Sequence, residues 1–490
     1  MRAIIGIDVG TTHIKSLLFD EQGRAVRQEK QSTPLSHDGT GSVYRPEQIW
    51  GIVESQLESL LKTNAQVMGI SITGMAEAGL IVNRKTGREA SAILPWFDGR
   101  TRALSRELDP EREKDLFRIT GLRNSFKYGI YKFLWLLSET GANKEEAVWL
   151  SMCDFIAWKL TGRFVTEPGF AARTYVYDIR NGRWDENRIR EYGLEPENFP
   201  EVIPSGSVAG EWRFSDGRLI PVAIAGHDHI CAAFGLLYRD KDGICDSAGT
   251  SETYVGRLND NASFSMETGM LYGPFVDGGY FFMANVPSSG HSVEWFRTRL
   301  QMTELSYETM NRELEALPKG PTGILYYPYL TGMGSPWYEP SMRGTIFGIR
   351  EDTDGLTMLK GIMEGIQYQS AWLLDILRKE HGVEATKVFC AGGSVNNRAL
   401  MQLKADILDR TVVAPAMPEA TLLGAATLFL QKNIDPETAG QFVRAAFQER
   451  EVYIPDEERS GSYRKIWKER YLPMTDILAN FYHDGGNENG

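Results

Sequence analysis

The chain has 490 residues, more than one hydrophobic core usually organises, so two large domains are expected. Its hydrophobic fraction of 42% and charged fraction of 24% are ordinary for a globular protein. The net charge of -12 argues against nucleic acid or an anionic membrane as a partner, because phosphate binding needs a basic surface.

The cysteines and the apolar segments favour a cytoplasmic protein. The four cysteines are scattered without Cys-x-x-Cys spacing, so neither a disulfide framework nor a thiolate metal site is expected. The apolar run at residues 3–7 is too short for the core of a signal peptide. Because no stretch of about 18 apolar residues occurs, no membrane span is expected either.

The first half of the chain alternates strand and helix signals, which is typical of an α/β protein. Strands are predicted at residues 3–7, 14–19, 25–31, 69–73 and 80–83. Helices are predicted at residues 46–62, 131–139 and 151–160, the first of which has apolar residues at helical spacing.

The second half begins with the same strand, glycine turn and strand that open the chain. Residues 7–12 read Ile-Asp-Val-Gly-Thr-Thr and residues 245–251 read Cys-Asp-Ser-Ala-Gly-Thr-Ser. Each segment places an aspartate before a Gly-Thr turn, and a repeat just past the midpoint indicates internal duplication. Since residues 239–243 are polar and turn-forming, we predict two domains, residues 1–240 and 241–490.

The two Gly-Thr turns are candidate phosphate sites. Glycine lets the backbone approach an anion closely and adopt positive φ, so that N–H groups and hydroxyls face it. Two such turns facing each other would hold the β- and γ-phosphates of a nucleotide; the alternative is that both are ordinary hairpin turns. The turn residues are Gly10, Thr11 and Thr12 in the first copy and Gly249, Thr250 and Ser251 in the second.

Asp8 and Lys15 flank the first of these turns. A carboxylate at a strand end that faces phosphates suits Mg²⁺, held through water, because Mg²⁺ keeps several waters and takes few carboxylates. The alternative for Asp8 is an aspartate that caps the turn. Lys15 extends either toward the transferred phosphate or into solvent.

A Gly-His-Asp-His run at residues 226–229 lies between a predicted strand at 221–225 and a predicted helix at 230–237. Asp228, at such a strand-to-helix turn, is well placed to accept a proton from a substrate hydroxyl. A metal site built on the histidines is discounted, because neighbouring residues point in different directions and the seven histidines offer no second pair. A purely structural Asp228 is the third alternative.

A Gly-Gly-Ser turn follows a predicted long helix at residues 357–379 and a predicted strand at 388–391, and it precedes a predicted helix at 397–408. Gly392, Gly393 and Ser394 would let a flat adenine lie against the backbone. The alternative is a tight strand-to-helix turn. The sequence has no Gly-x-x-x-x-Gly-Lys-Ser/Thr loop and no Gly-x-Gly-x-x-Gly fingerprint, so nucleotide binding would need a different phosphate device.

Six motifs in order along both halves resemble the FGGY carbohydrate kinases, within the actin-like, sugar kinase and Hsp70 ATPase superfamily. Each motif is weak alone, and their order makes the resemblance specific. They lie at residues 5–12, 93–100 (Ile-Leu-Pro-Trp-Phe-Asp-Gly-Arg), 225–229, 248–251, 327–344, and 391–394 with 419–426.

The resemblance implies an α/β fold of two RNase H-like (actin-like ATPase) domains with the active site in the interdomain cleft. It implies an enzyme that uses ATP and Mg²⁺ to phosphorylate a hydroxyl of a small sugar or polyol. Asp228 would be the general base and Asp8 would hold Mg²⁺ through water. Lys15 and Asn397 would join the glycine turns at the nucleotide. Sugar contacts would come from Glu77, Asp98, Lys127 and His229.

Residues 73–79 bear on the substrate. Glycerol kinases carry Arg-Glu there and xylulose kinases carry Met-His, whereas this chain has Ala76 before Glu77. The resemblance therefore points to another ketose, such as a ketopentose, a deoxyketohexose or a tetrulose. The alternatives are an actin-like ATPase that is not a kinase and a catalytically silent sugar and ATP sensor. A homodimer is compatible with this interpretation.

Overall fold

The computed structural model describes residues 1–106, 108–416, 419–447 and 450–485, and it groups the chain into two compact units. The first unit comprises Met1–Arg239, Tyr272–Phe281 and Glu419–Gln448. The second comprises Asp240–Leu271, Phe282–Pro418 and Glu449–Gly490. The chain thus first leaves unit one after Arg239, and two later segments return to it.

The strands alternate with helices along the chain, as α/β patterning requires. In chain order they are β1 (Arg2–Val9), β2 (His13–Asp20), β3 (Ala25–Ser32), β4 (Leu35–His37), β5 (Ser42–Tyr44), β6 (Gln66–Gly74), β7 (Gly79–Asn83), β8 (Arg88–Glu89), β9 (Ala147–Ser151), β10 (Val165–Thr166), β11 (Tyr177–Asp178), β12 (Arg183–Trp184), β13 (Glu201–Val202), β14 (Val208–Arg213), β15 (Leu219–His227), β16 (Ile244–Ala248), β17 (Glu252–Leu258), β18 (Leu271–Pro274), β19 (Tyr280–Val286), β20 (Leu325–Tyr327), β21 (Thr345–Phe347), β22 (Lys387–Ala391), β23 (Thr411–Pro415) and β24 (Arg450–Tyr453).

The helices are α1 (Pro46–Leu61), α2 (Pro110–Thr120), α3 (Gly129–Thr140), α4 (Met152–Thr161), α5 (Pro168–Ala172), α6 (Glu186–Glu191), α7 (Asp228–Leu236), α8 (Gly290–Arg299), α9 (Tyr307–Ala316), α10 (Gly355–His381), α11 (Arg398–Leu408), α12 (Ala420–Asn433), α13 (Pro436–Ala446), α14 (Glu457–Ile466) and α15 (Leu472–Gly485). Short 3₁₀ segments lie at Gly99–Thr101, Pro196–Asn198 and Gly393–Asn396. A π-helical turn at Trp467–Tyr471 joins α14 to α15.

Unit one is built on a sheet with the order β14-β15-β6-β1-β2-β3. Strands β1, β2 and β3 form an antiparallel meander, while β1, β6 and β15 run parallel. Strand β1 is buried along nearly its whole length, which fits its apolar sequence and its central place in the sheet. The carboxyl ends of three parallel strands therefore meet at one edge, where α/β sheets commonly bind ligands.

The second unit repeats this arrangement around strands in the order β17-β16-β22-β23-β24. Strand β16 is antiparallel to β17 and parallel to β22, and β22 is parallel to β23. The β16–β17 hairpin therefore occupies the place in its sheet that the β1–β2 hairpin occupies in the other. The internal duplication predicted from the two Gly-Thr segments is visible as a shared strand order.

The predicted strands and helices are present, and their ends lie within three residues of the predicted bounds. Helix α1 begins with Pro46 at its first turn and buries Ile49, Val53, Leu57 and Leu60 against the sheet of unit one. The long helix α10 is capped by the Asp354 carboxylate, which accepts a hydrogen bond from the Thr357 backbone N–H. Local sequence signals were sufficient for these elements.

Helix α12 comes late in the sequence and packs onto the sheet of unit one. Ser71 in β6 donates a hydrogen bond to the Ala425 carbonyl at 2.7 Å. A Cβ on Gly69 would lie 2.0 Å from the Phe429 ring, so glycine is needed where the helix crosses β6. Gly424 meets α7 equally closely, because a Cβ there would lie 1.7 Å from the Cys231 carbonyl oxygen. Residues 424–426 thus serve a close helix crossing.

Among the described residues, no helix combines the length and the apolar character needed to cross a lipid bilayer.

Gly424→Ala is predicted to destabilise the protein by roughly 1–3 kcal/mol, because the added methyl group overpacks the crossing of α12 and α7. The matched control is Gly461→Ala in α14, where no atom lies within 4 Å of the added group. That change should stabilise the helix by up to about 1 kcal/mol. Differential scanning calorimetry of both variants checks the pair, and equal shifts in the same direction would contradict the packing account.

Candidate active site

Three parallel strands bring their carboxyl ends together at one edge of the sheet of unit one. In the strand register, Asp8 of β1 is opposite Thr73 of β6, and Thr73 is opposite Gly226 of β15. The Thr73 hydroxyl donates to the Gly226 carbonyl at 2.7 Å, which ties β6 to the end of β15. Polar residues that follow these strand ends are therefore gathered in one place.

Asp8 is buried, with 9% of its surface exposed. Burial, and then the nearby charges of Asp228 and Glu419, raise its pKa from 3.8 to about 8, although Lys15 acts in the opposite direction. Its Oδ1 atom has no hydrogen-bond partner within the described residues. An unpaired carboxylate oxygen beside other carboxylates suits a divalent cation, so the residues present fit Mg²⁺ held through water.

Asp228 begins α7 directly after β15, and about a quarter of its side chain (27%) is exposed. His227 Nε2 lies 3.0 Å from Asp228 Oδ1, and the His229 backbone N–H donates to the same oxygen at 2.6 Å. Burial alone would raise the pKa of Asp228, but His227 and His229 outweigh it and hold that pKa below its usual range. Asp228 is therefore an accessible, ionised carboxylate at neutral pH.

The histidines beside Asp228 correct one expectation. From the sequence, the side chains of residues 227–229 were expected to point in different directions, which would prevent them from sharing a metal ion. The structure does not show this divergence. Ligand atoms of His227, Asp228 and His229 all lie within 4.8 Å of one another. The chain turns at this point, since Gly226 has φ of 136° and β15 gives way to α7. A transition-metal ion bound by this triplet would occupy the carboxylate that base catalysis requires.

Glu77 follows the end of β6 and forms an ion pair with Arg173. Arg173 Nη1 donates to Glu77 Oε1 at 3.1 Å, and only 5% of the arginine side chain and 14% of the glutamate side chain are exposed. The charges of Glu77 and Arg173 both affect the pKa of His229. Burial lowers that pKa below 6.5, although the charge of Asp228 raises it. The predicted sugar residues Glu77 and His229 are thus brought to the same site as Asp228.

Lys127 is connected to the first glycine turn by Trp96, which contacts both. Its Nζ is 5.3 Å from the centre of the Trp96 ring, and Trp96 Nε1 donates to the Thr11 hydroxyl at 3.0 Å.

Lys132, in α3, donates to the Lys127 carbonyl. Burial lowers the pKa of Lys132 to about 7, against the effects of Glu77 and Asp98. A buried lysine that titrates near neutrality is typical of a functional site.

Asp98, the remaining predicted sugar contact, accepts hydrogen bonds from neighbouring protein groups with both carboxylate oxygens. Oδ1 accepts hydrogen bonds from Arg100 N and Nε, and Oδ2 accepts from the Ser42 N–H at 2.7 Å. Arg100 in turn bonds Asp38 at 2.7 Å. The carboxylate also caps the 3₁₀ turn at Gly99–Thr101. Asp98 therefore fixes the 3₁₀ turn that directly follows it.

Lys15, on β2 beside Asp8, has a carboxylate partner in the structure. Its Nζ lies 2.8 Å from Glu419 Oε2, and Gln28 donates to the other oxygen of Glu419 at 3.1 Å. Glu419 directly precedes α12, so the helix that packs on this sheet also sets the position of Lys15. The lysine is partly exposed (23%) and is held beside the first glycine turn.

The first glycine turn is exposed and anchored by its backbone. Thr11 and Thr12 are exposed, and the Gly10 N–H donates to the His13 carbonyl at 3.1 Å to close the β1–β2 hairpin. The Thr33 hydroxyl donates to the Gly10 carbonyl at 2.7 Å. Both threonine hydroxyls are thus presented on a fixed loop, as a phosphate site requires.

In unit two, three glycine-containing segments meet. The Gly290 N–H donates to the Gly249 carbonyl at 3.2 Å, and the His291 N–H donates to the Thr250 carbonyl at 2.9 Å. A Cβ on Gly290 would lie 2.2 Å from the Gly249 oxygen, so these backbones can meet only without a side chain. Gly392, with φ of 100°, approaches the Ala248 carbonyl in the same way. Glycine at these positions builds one continuous backbone surface.

Ser394 and Asn397 differ in their availability on that surface. Gly393 and Ser394 lie at the start of the 3₁₀ segment, where Gly393 is exposed and nothing crowds a Cβ. Asn397 is buried, and its side chain accepts a hydrogen bond from the Leu400 N–H to cap α11. Asn397 therefore holds the helix beside the glycine turn. Ser251 closes the hairpin by accepting from the Gly249 N–H at 2.9 Å.

The aspartate of the second copy is used differently from Asp8. Asp246 is fully buried and bonded to Lys404, which also lies 3.2 Å from Glu252. Burial opposes the lysine's charge, but these two carboxylates outweigh it and raise the pKa of Lys404 well above its ordinary value. Glu252 accepts from the Ser289 hydroxyl at 2.9 Å, next to Gly290. This buried ion cluster supports the second glycine turn from beneath.

Several contacts within these sites carried no recognisable sequence signal. Arg173 and Glu77 are 96 positions apart, and Lys15 and Glu419 are 404 apart. Gly290 could have been noticed only as a glycine opening a helix, and Lys132 only as a lysine on the apolar side of α3. Long-range pairing of this kind needs the fold itself.

Comparison with known proteins identifies the family of the chain. Residues 3–235 match the N-terminal domain, and residues 246–430 the C-terminal domain, of the FGGY family of carbohydrate kinases. A glycerol kinase of Aeromonas salmonicida (strain A449) is 28% identical over 442 residues, covering 87% of this chain and 88% of that protein. A glycerol kinase of Enterococcus casseliflavus is 26% identical over 493 residues, covering 95% and 96%.

Solved structures of low sequence identity share the fold. The gluconate kinase from Lactobacillus acidophilus is similar with a TM-score of 0.86 at 21% identity, covering 99% of both chains. The Plasmodium falciparum glycerol kinase with ADP is similar with a TM-score of 0.86 at 20% identity, covering 96% of this chain and 98% of that one. The predicted pair of domains with the actin-like ATPase fold is confirmed.

Fold and comparisons together define an enzyme that transfers a phosphoryl group from ATP to a sugar or polyol. The chain belongs to the FGGY family of carbohydrate kinases, which matches most of its length in two consecutive domains.

Asp8→Asn is predicted to flatten the pH dependence of stability in protein free of Mg²⁺ and nucleotide. The folded-state pKa of Asp8, about 8, exceeds the unfolded value of 3.8, so the folded protein holds this proton more tightly. Raising the pH from about 4 to about 8 should therefore destabilise the wild type by up to about 1.4 kcal/mol per pH unit relative to the variant. Urea unfolding across that range measures the difference.

The matched control for this pH experiment is Asp260→Asn, at an exposed turn position after β17. Its profile should run parallel to that of the wild type. If Asp8→Asn also ran parallel to the wild type, the carboxyl group of Asp8 would not be protonated in the folded protein at neutral pH.

Proposed function

We propose that this kinase phosphorylates a hydroxyl of a small, neutral ketose or polyol, with Asp228 as the general base. The observation that carries the proposal is the Asp228 carboxylate, accessible and ionised at the edge where β1, β6 and β15 end. The sugar contacts proposed here are Glu77, Lys127 and His229. Asp98 acts through the turn that it caps.

The proposed step is an in-line transfer. The substrate hydroxyl gives its proton to the Asp228 carboxylate while its oxygen forms a bond to the γ-phosphorus of ATP. The bond from that phosphorus to the bridging oxygen breaks, and ADP leaves. Because the transition state of such transfers is loose, positioning of the hydroxyl matters as much as the basicity of Asp228. A carboxylate with a depressed pKa fits that role, since it stays ionised and oriented by His227.

Mg²⁺, bound with the nucleotide, would neutralise phosphate charge near Asp8. Asp8 would hold the ion through water, in line with its unpaired oxygen. Lys15, Thr11 and Thr12 of the first turn would contact phosphate oxygens. One cationic side chain and several hydroxyl and N–H groups would then stabilise the negative charge of the phosphates during transfer.

The nucleotide surface proposed in unit two is the joined glycine turns. Gly249, Thr250 and Ser251 would take phosphate oxygens. Gly392, Gly393 and Ser394 would lie against the adenosine, with Asn397 holding the adjoining helix. The support for this assignment is the absence of side chains where the Gly249, Gly290 and Gly392 backbones meet.

The substrate is proposed to be a ketopentose, a deoxyketohexose or a tetrulose. Similar proteins are named as glycerol, xylulose and gluconate kinases, and this chain departs from both the Arg-Glu and the Met-His patterns at residues 76–77. A glutamate whose charge is balanced by Arg173 favours a neutral compound with adjacent hydroxyls over an anionic one. Membership of a kinase family disfavours the non-kinase ATPase and the silent sensor.

Sugar-stimulated ADP release is predicted for one member of a panel incubated with MgATP. The panel holds D- and L-ribulose, D- and L-xylulose, L-fuculose, L-rhamnulose, erythrulose, glycerol, erythritol and gluconate. We expect a ketose to stimulate ADP release far above gluconate and glycerol. Strongest stimulation by gluconate would refute a neutral substrate, and slow hydrolysis unaffected by every compound would favour a non-kinase ATPase.

The same assay separates a base from a metal ligand at Asp228. Enzyme dialysed against a chelator and returned to Mg²⁺ should keep its sugar-stimulated activity. Loss of that activity, with recovery on adding Zn²⁺, would mean instead that the His227, Asp228 and His229 triplet works as a metal site.

Asp228→Asn is predicted to lower kcat by about 10²–10⁴, the usual effect of removing a general base. Nucleotide affinity should change little, because the amide keeps the size of the carboxylate. The control is Asp216→Asn in the exposed turn after β14, which should retain full activity. Steady-state kinetics and nucleotide titration measure both properties, and a fully active Asp228→Asn enzyme would remove Asp228 from the mechanism.

A further inference from the structure

We propose that Arg173 is a positioning residue that fixes the Glu77 carboxylate for sugar recognition, and that the pair selects substrates with two adjacent hydroxyls. This inference rests on the proposed function, because it assigns the specificity of the same site. It concerns a residue that no motif of the sequence singles out.

The pair is formed away from water. Arg173 Nη1 lies 3.1 Å from Glu77 Oε1, and at most 14% of either side chain is exposed. A buried ion pair gains only when its geometry is good, and removal of one partner leaves the other charge uncompensated. The position of the carboxylate therefore depends on the guanidinium. The residue next to Glu77, where an adjacent arginine would stand, is the buried Ala76.

The backbone on both sides of the pair is strained. Glu77 has φ of 61°, and Tyr175, two residues after Arg173, has φ of 72°. Non-glycine residues adopt such angles rarely, and the strain persists only where the surroundings enforce it, often at ligand sites. Two left-handed residues, one on each of the segments that form the ion pair, indicate that the contact is imposed by the fold.

The segment that carries Arg173 is tied to the segment that carries Lys127. The Gly129 N–H donates to the Arg173 carbonyl at 3.1 Å, and the Ile130 N–H donates to the Thr174 carbonyl at 3.0 Å. Arg173 is therefore held at the start of α3, beside Tyr128 and Lys127. Tyr128 stacks on Tyr175 with ring centres 5.0 Å apart, which further fixes the loop.

The pair lies among the residues proposed to meet the sugar. Charges of both Glu77 and Arg173 act on His229, and the charge of Glu77 also acts on the buried Lys132. Gly74, three residues before Glu77, is opposite His227 in the strand register, so Glu77 follows the strand end that lies beside the start of α7 at Asp228. A carboxylate has about four acceptor positions, so one bond to Arg173 leaves capacity for two hydroxyl donors. A cis or flexible vicinal diol presents two donors at the spacing of one carboxylate.

The test compares Arg173→Met, Arg173→Lys, Glu77→Gln and the double variant Glu77→Gln/Arg173→Met. The substrate is the best sugar of the panel and its analogue that lacks one of two adjacent hydroxyls. We expect Arg173→Met to raise KM for the sugar at least about tenfold while KM for ATP stays within about twofold. Arg173→Lys should recover part of this loss, because it restores the charge without the planar donor fork.

Two further readouts separate positioning from general damage. The double variant should lose no more than the worse single variant, because residues that act as a unit are not additive. The preference of the wild type for the sugar over its deoxy analogue should shrink in Arg173→Met. The matched control is Arg459→Met, which removes a partly buried arginine bonded to Asp406 at 2.7 Å in unit two and should leave KM for the sugar unchanged.

Contrary results are distinct from a failure of the proposed function. Three results would overturn the inference. The first is a folded Arg173→Met enzyme with unchanged KM for the sugar, and the second is an equal rise in KM for the sugar and for ATP. The third is a double variant whose loss of activity is the product of the two single losses. If thermal unfolding shows that Arg173→Met does not fold, Arg173→Lys decides, and an unchanged sugar preference in it refutes the role. Absence of sugar-stimulated ADP release in the wild type would instead refute the proposed function.

Discussion

Asp8 and Asp228 close the ends of two parallel strands of one sheet, and each carboxylate acts on the charge of the other. Two negative charges in a partly dry environment cannot both remain ionised without compensation. The structure resolves this conflict unequally. The His227 ring and the His229 backbone N–H both contact Asp228 Oδ1 and favour its ionised form, whereas Asp8 is left to take a proton or a cation. Roles as different as proton acceptor and metal partner can follow from one shared electrostatic constraint.

The β1–β2 and β16–β17 hairpins have the same sequence pattern, but their aspartates have different surroundings. Asp8 and Asp246 hold equivalent places before their glycine turns, yet their neighbours differ. Lys404 pairs with both Asp246 and Glu252 inside the core, so the second aspartate is fully buried in an ion cluster beneath its loop. In the first copy the cation Lys15 is bound to Glu419 at the edge of the site. The aspartate is thus paired with a buried lysine in the second copy, whereas in the first copy the lysine beside it is bound to another carboxylate.

Local patterns predicted the strands, the long helices, the glycine turns and the placement of Asp8 and Asp228, because periodicity and turn chemistry act over a few residues. The sequence could not show that Arg173 pairs with Glu77, or that Asp98 is already satisfied by Arg100, since both depend on distant segments meeting. The sequence also did not show that ligand atoms of His227, Asp228 and His229 come within 4.8 Å of one another, because this depends on the exact backbone path of the turn. Gly226 turns the chain where β15 passes into α7.

Helix α12 has a consequence for how the protein is made. The face of β6 that carries Gly69 and Ser71 is covered by Phe429 and Ala425, which leave the ribosome after nearly nine-tenths of the chain has been synthesised. The core of the N-terminal unit therefore cannot be completed until α12 has been synthesised, although the sheet of that unit is encoded first. Until α12 packs on β6, this face of the sheet stays uncovered, and exposed apolar surface of this kind promotes association between incomplete chains.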